Sequence, residues 1–289
     1  MRCPVCSSSS ASIVHTLPEY RVLLCGDCGL RYADPMRPAP HDWYETSELY
    51  SDKRAARRHK SPREILLSDW RYQQFARYAP PAGLRLLDVG CGVGEFVFLA
   101  RWLGYDATGI DFDEGRVLLG RQVYSVPLQS AGIADLVADK QGDKYDIITL
   151  FDVLEHLENP VGAIRDLTAL FKAGGHFVVS VPSWNRWPQW VGSRVDLPPH
   201  HLTLWTEQAL RRALENAGLA MKVVHRKPLH GSDLFLSVRF RVGWLEGRSL
   251  FKKVSRLVLW LGVAYPLAHL LRLYPGSGGF SLFAIGCKP

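Results

Sequence analysis

The chain has 289 residues, 47% of them hydrophobic and 22% charged, with a formal net charge of +7. That length can bury a large core, and the ordinary composition excludes a disordered, low-complexity or repeat-built chain. The basic excess lies in residues 51–78 and 221–289, while 79–220 are net acidic. Basic segments of this kind meet nucleic acid, anionic lipid or acidic glycans, or form a solvated face.

The N-terminus, Met1-Arg-Cys-Pro-Val-Cys6, carries no apolar h-region, so a cytoplasmic location is expected. Cys3 and Cys6 form one C-x2-C pair and Cys25 and Cys28 another, with eighteen residues between them. Two such turns present four thiolates to one tetrahedral ion, and this spacing reads as a closed, structural zinc site rather than two disulfides. Cys91 and Cys287 lie in apolar contexts and are expected to be small buried residues rather than nucleophiles. Residues 1–33 therefore read as a small zinc ribbon. The run Asp34-Pro-Met-Arg-Pro-Ala-Pro40 is a connector, and 42–78 read as polar to amphipathic helix carrying the basic run 53–60. Ala79-Pro-Pro-Ala-Gly83 marks a boundary, so residues 34–80 read as linker and helical segment.

From residue 84 strands and helices alternate. Strands are predicted over 84–89, 107–111, 145–151, 176–181 and 219–227, with helices over 95–103, 114–124, 161–171 and 206–217. The last helix has Thr206 as N-cap and Gly218 just past its end. Alternation of this kind predicts a doubly wound α/β sheet of parallel strands, with ligands beyond their carboxyl ends. Residues 126–139 give no clear pattern.

The first strand runs into Leu86-Leu-Asp-Val-Gly-Cys-Gly-Val-Gly-Glu-Phe96. Its glycines at 90, 92 and 94 let the backbone approach a ligand where a Cβ would collide. The spacing departs from G-x-G-x-x-G because Glu95 stands at the sixth position, where it would repel a pyrophosphate. No Gly-Lys-Ser/Thr follows, which excludes a Walker A loop. Asp111 closes the next strand, where a carboxylate can accept both hydroxyls of a ribose.

These residues resemble the class I S-adenosylmethionine-dependent methyltransferases over about residues 84–228. Leu87-Asp-Val-Gly-Cys-Gly-Val-Gly94 resembles that family's first motif, Asp111 its ribose-binding acid, and 146–151 its fourth-strand motif. The resemblance implies a Rossmann-like methyltransferase sheet over 81–228, closed by an antiparallel strand within 277–289. It implies that Gly90, Gly92 and Gly94 pack against the methionine part of S-adenosylmethionine. Asp88 would reach its ammonium through a water or a neighbour, Asp111 would hold the ribose, and Phe112 would lie beside the adenine. Residues 229–276 would then be an apolar and basic helical insertion.

Beyond the strand Tyr145–Phe151 come Asp152, Glu155 and His156, at i, i+3 and i+4. In a helical turn that spacing puts all three on one face, beside the methyl donor. His156 is then the expected general base for a hydroxyl acceptor, with Glu155 orienting it or the substrate. A second reading is a divalent ion such as Mg²⁺ held by the three, as some ubiquinone-pathway and small-RNA 2′-O-methyltransferases do at Glu-x-x-Glu-His. Here Asp152 replaces the first Glu. His200 and His201, in Asp196-Leu-Pro-Pro-His-His-Leu-Thr203, are further candidates for base or ligand over the substrate.

On the substrate side, Trp184, Trp187 and Trp190 recur every third residue, either to stack a ring or as an apolar cluster. The apolar run between Arg256 and Arg272 is 15 residues, short of the ~20 that span a bilayer. It reads as a lid, a dimer contact or a membrane-surface helix beside Lys252 and Lys253. The sequence thus implies methyl transfer, most simply to oxygen of a small, lipid-like or glycan acceptor. The alternatives are an RNA methyltransferase, against which the Trp-rich loop and the apolar insertion count, and an inactive binding module, against which the intact glycine loop and Asp111 count.

Overall fold

The computed structural model describes residues 2–38, 59–138, 145–185, 196–229 and 279–289, with 262, 266, 267 and 270 between. Most of the basic run 53–60, two of the three tryptophans, Lys252, Lys253 and nearly all of 229–276 lie outside the described residues.

The N-terminal segment forms three antiparallel strands, β1 (Ala11–Thr16), β2 (Arg21–Cys25) and β3 (Arg31–Asp34). Two helices follow, α1 (Pro62–Ser68) and α2 (Trp70–Tyr78). Ser61 and Glu64 make a reciprocal capping box on α1, and Asp69 caps α2 through the Arg71 N–H. The main domain then runs β4 (Arg85–Val89), α3 (Glu95–Trp102), β5 (Asp106–Asp111), α4 (Glu114–Tyr124), β6 (Leu128–Ser130), α5 (Ile133–Ala138) and β7 (Tyr145–Phe151). A 3₁₀ turn (Leu154–His156) leads to α6 (Pro160–Thr168), β8 (Phe171–Pro182), β9 (Thr203–Leu204), α7 (Glu207–Asn216), β10 (Ala220–Arg226) and β11 (Ser281–Cys287).

Seven strands form one sheet in the order β10-β11-β8-β7-β4-β5-β6. Strands β4 to β8 are mutually parallel, and β11 lies antiparallel between β8 and β10. This is the expected doubly wound sheet with a reversed closing strand. The strand order turns at β4, so the carboxyl ends of β4 and β7 open the crevice where such folds bind ligands. The strand pleat divides the core. Phe177, Val179 and Val181 of β8 face one apolar cluster, whereas Val178 faces the other.

Two local expectations change. The helix predicted over 161–171 ends at Thr168, and Phe171 already begins β8. The pairing with β7 slips between Tyr145 and Ile147, so Lys172 to Gly175 bulge out with Gly174 at φ 72° before the register resumes at His176. The unassigned stretch after residue 126 holds β6, only three residues long, too short for a periodic signal.

Helices α1 and α2 pack into the core of the domain that follows them. Ile65 and Phe75 are fully buried, and Phe75 meets Phe96 edge-to-face at 4.9 Å and Tyr105 at 5.4 Å. Phe75→Ala is expected to cost about 3–5 kcal/mol of unfolding free energy by chemical denaturation, the range for emptying a fully buried aromatic site. A cost near zero would mean that α2 is an appendage. Among the described residues no helix is long and apolar enough to cross a membrane.

Candidate active site

A cavity of about 540 Å³ opens at the ends of β4, β5 and β7. Val89 and Gly90 form its floor, and Asp111, Phe112 and Arg116 one side. Ala131 to Ile133 form another side, and Asp152, Val153, His156 and Leu157 the far wall. Pro38, four residues past β3, also reaches it.

The three loop glycines have different surroundings. A Cβ on Gly90 would strike the Val153 side chain, and one on Gly94 would press to 2.9 Å of Leu128. Only at Gly92, with φ +55°, would a Cβ enter open space, its nearest neighbour being Arg116 Nη1 at 3.9 Å. Packing inside the protein therefore accounts for Gly90 and Gly94, whatever they do for a ligand. Gly92, Gly94 and Asp88 do not themselves line the cavity.

Asp111 is held from both sides. Gly92 N–H donates to Oδ2 at 2.7 Å and Asp113 N–H to Oδ1 at 2.9 Å, so each oxygen keeps a lone pair for a ligand hydroxyl. Burial raises its pKa, and the two amides oppose that rise. Asp88 is fully enclosed. Burial pushes its pKa up to about 7, against the pull of a 2.6 Å hydrogen bond donated by Thr149 Oγ1 and of the Arg71 charge. Phe112 is half exposed at the rim, flat apolar surface beside the cavity.

The turn after β7 separates the three groups that helical spacing placed on one face. The physical reason is a 3₁₀ turn preceded by Asp152 at φ 55°. The Asp152 carboxylate is taken up by the Arg71 guanidinium of α2 and by the Ser180 hydroxyl at 2.9 Å. Glu155 turns away from the cavity and is 1% exposed, with Oε1 3.9 Å from His201 Nε2. Burial, and then the Asp152 charge, lift its pKa well above the usual carboxylate range. His156 alone of the four expected catalytic residues lines the cavity. The expected ion site of Asp152, Glu155 and His156 does not assemble, because Arg71 occupies Asp152. The donor atoms lying within 4.8 Å of one another belong instead to Glu155, His156 and His201.

The His156 ring is oriented from behind. Its Nδ1 lies 2.6 Å from the His200 carbonyl, which fixes the proton on Nδ1 and leaves the lone pair on Nε2. Burial and the neighbouring His200 lower its pKa to about 4, so the ring is neutral at physiological pH. His200 and His201 sit around it, with ring centroids 5.2 and 5.0 Å away. They shape the surroundings of His156 without lining the cavity.

Arg71 was not foreseen from the sequence. It lies in a helix ahead of the alternating segment, and its partners, Asp69 and Asp152, are two and 81 residues away. Charge complementarity with Asp152 was the only signal, and it is invisible until α2 is folded onto β7.

At the N-terminus the four cysteine sulfurs lie within 4.8 Å of one another, with Cys3–Cys28 at 3.6 Å and Cys6–Cys25 at 3.5 Å. A tetrahedral zinc with bonds of about 2.3 Å requires sulfur–sulfur edges of roughly 3.8 Å. A disulfide requires about 2.05 Å. The cluster therefore fits a four-thiolate ion and not two disulfides.

The fold is that of class I S-adenosylmethionine-dependent methyltransferases. A methyltransferase-domain family matches residues 57–224, and the chain belongs to that family. Among its relatives are ubiquinone biosynthesis O-methyltransferases. That of Acinetobacter baumannii (strain ACICU) is 31% identical over 110 residues, 36% of this chain and 46% of the relative. That of Xanthomonas axonopodis pv. citri (strain 306) is 31% identical over 160 residues, 50% of this chain and 66% of the relative. The first of these matches spans about half the relative's length. A solved S-adenosylmethionine-dependent methyltransferase from Archaeoglobus fulgidus shares the fold, with a TM-score of 0.56 at 16% identity, covering 84% of this chain and all of that one. The cysteine ribbon lies ahead of the family match.

Proposed function

We propose that this protein transfers the methyl group of S-adenosylmethionine to an oxygen of a small, lipid-like acceptor. The observation that carries the reading is the cavity that sets Asp111 and Phe112 on one side and a neutral, oriented imidazole on the other. The similarity to ubiquinone biosynthesis O-methyltransferases supports oxygen as acceptor atom and a lipid-like substrate.

S-adenosylmethionine, when bound, supplies an electrophilic methyl on a sulfonium that departs as the neutral thioether. Asp111 accepts the ribose hydroxyls, Phe112 covers the adenine, and Gly92 lets the backbone approach the amino-acid part. Asp88 balances the ammonium without itself lining the cavity. The Arg71 guanidinium pairs with Asp69 and Asp152 and so holds the turn after β7 in place. His156 Nε2 takes the acceptor hydroxyl proton as the O–CH₃ bond forms, and Nδ1–H stays on the His200 carbonyl. The Cys3–Cys6–Cys25–Cys28 cluster holds a structural zinc, which does no chemistry at the cavity.

Asp88 makes the cofactor half testable by pH. Its carboxyl is largely protonated in the apo protein below pH 7. An ammonium within about 4–6 Å lowers such a pKa by roughly 1–3 units, so binding at pH 6.5 is expected to release most of a proton. Calorimetry in buffers of different ionisation heats measures this, and Asp88→Asn is expected to abolish the buffer dependence. The stability sign follows. A carboxyl raised from 3.8 to about 7 favours the apo fold at low pH, and that contribution is lost as pH rises through 7. Asp88→Asn should therefore flatten this part of the apo stability profile.

The acceptor class is tested by incubating pure protein with methyl-labelled S-adenosylmethionine and cell extract, with and without RNase. Label in a solvent-extractable, RNase-resistant fraction supports the reading, and label that disappears with RNase sinks it.

A further inference from the structure

The ribbon is fastened to the acceptor side of the cavity. Both cysteine turns are tied down by hydrogen bonds from the main domain. Around the second, Cys28 O accepts from the Thr206 hydroxyl at 2.8 Å, Asp27 O from the Gln208 amide at 3.2 Å, and Gly29 O from the Trp184 indole N–H. At the first, Val5 O accepts from Asn216 Nδ2 at 2.7 Å. Thr206 and Asn216 stand at opposite ends of α7, so one helix spans the two turns that a single ion would join.

From the ribbon a run of backbone bonds leads to the imidazole. β3 pairs with β9, Arg31 with Leu204 and Tyr32 with Thr203. Ala33 N–H donates to Leu202 O at 2.8 Å, and Leu202 N–H to Glu155 O, also at 2.8 Å. Two residues before Leu202, the His200 carbonyl fixes the His156 ring. β9 is two residues long, and in its sheet it has β3 as its strand neighbour. A strand that short takes its order from its neighbours, β3 along its length and, just past its end, the Trp205 N–H bond to Pro182 O at 3.0 Å. The ribbon is supported from one side only. β1 is exposed along its whole length, whereas Leu30, Tyr32 and Ala33 are buried in one apolar cluster with Leu202, Trp205, Leu210 and Leu214, so an ion would lock the two cysteine turns of a ribbon already packed beside α7. The cofactor half of the cavity hangs on β4 and β5 instead, in the other sheet.

We propose that the metal-filled ribbon is a positioning device for the acceptor half of the active site. Ion binding at Cys3, Cys6, Cys25 and Cys28 keeps β3 in place, β3 keeps residues 200–205 in place, and those residues aim His156. This inference rests on the methyltransferase reading of the cavity and on the fit of the sulfurs to zinc. Occupancy by zinc then controls the order of the histidine loop and leaves S-adenosylmethionine affinity nearly untouched.

The test compares full-length protein loaded with zinc and stripped by a chelator, using hydrogen exchange read by mass spectrometry and calorimetry with S-adenosylmethionine. Stripping is expected to raise exchange in peptides covering 155–157 and 200–206 by at least about 10-fold. Peptides covering β4 and β5 should hold their protection, and cofactor affinity should change less than about 3-fold. Zinc should restore the loop, and magnesium should not. A second protein, Trp184→Phe with Gln208→Ala, keeps all four cysteines. It should bind one zinc yet exchange faster at 200–206. A ribbon that melts while 200–206 stay protected overturns the proposal. So does loss of protection throughout β4 and β5, which would make the metal a support of the whole fold, and so does a chain that takes up no zinc. Failure of the zinc-loaded protein to bind S-adenosylmethionine would strike the methyltransferase reading instead and leave the exchange result standing.

Discussion

Asp111→Ala is expected to weaken S-adenosylmethionine binding by roughly 10- to 100-fold, the loss of one or two hydrogen bonds to a charged acceptor. The carboxylate is positioned before the ligand arrives. Gly92 and Asp113 each commit one N–H to it, one per oxygen, and the remaining lone pairs face the cavity. Both bonds come from the protein's own backbone, so the ribose hydroxyls would meet acceptors that are already aimed. Alanine also takes the partner from the Gly92 and Asp113 N–H groups, and that injury to the glycine loop has to be separated from the lost contact. A cofactor analogue lacking the ribose hydroxyls makes the separation. Wild-type protein should bind it about as weakly as the variant binds the natural cofactor, and the variant should scarcely distinguish the two ligands. If Asp111→Ala binds S-adenosylmethionine within about 3-fold of wild type, the cavity is not an adenosyl site and the proposed reaction falls with it.

The cofactor half of this site is written in a contiguous stretch of sequence, and the acceptor half is not. Asp88, Gly90, Gly92 and Gly94 fall within one strand-to-helix turn, and Asp111 closes the next strand, so short-range spacing places them together. Even there the sequence could not show that a Cβ at Gly90 meets Val153 or that one at Gly94 meets Leu128, because both contacts cross between elements. The rest of the cavity comes from distant places: Pro38 behind the ribbon, and the turn after β7, whose Asp152 is held by Arg71 of α2. Helical spacing put Asp152 with Glu155 and His156. The left-handed backbone at Asp152 broke that pattern, and an arginine 81 residues earlier in the chain fixed the outcome. The convergence of the ribbon's four cysteines is legible in their spacing, whereas the attachment of the ribbon is not. It depends on a two-residue strand and on side chains capping the carbonyls of the cysteine turns, none of which leaves a periodic trace.

His156→Asn is expected to reduce methyl transfer by about 10²–10⁴-fold, the usual share of a positioned proton acceptor, with cofactor affinity preserved. Asparagine is the informative replacement. Its amide nitrogen can occupy the place of Nδ1 and still donate to the His200 carbonyl, so the loop contact survives while the lone pair of Nε2 is lost. His156→Gln makes the opposite trade, reaching the Nε2 position without the Nδ1 donor. A rate loss confined to kcat in the asparagine variant, with exchange at 200–206 unchanged, identifies proton transfer rather than loop support. The pH behaviour follows from a ring whose pKa is depressed to about 4 by burial and by His200. Above about pH 5 the ring is neutral, so this imidazole should put no limb near 6.5 in the rate profile. The stability sign is the reverse of that for Asp88. The unfolded ring takes a proton near 6.5 and the folded ring only near 4, so stability contributed by the neutral ring is present above 6.5 and is lost as pH falls through about 4. The asparagine variant should lose that acid-side slope. Methyl transfer at wild-type rate in His156→Asn would remove the base from the mechanism and leave the acceptor oxygen to be deprotonated by some other group.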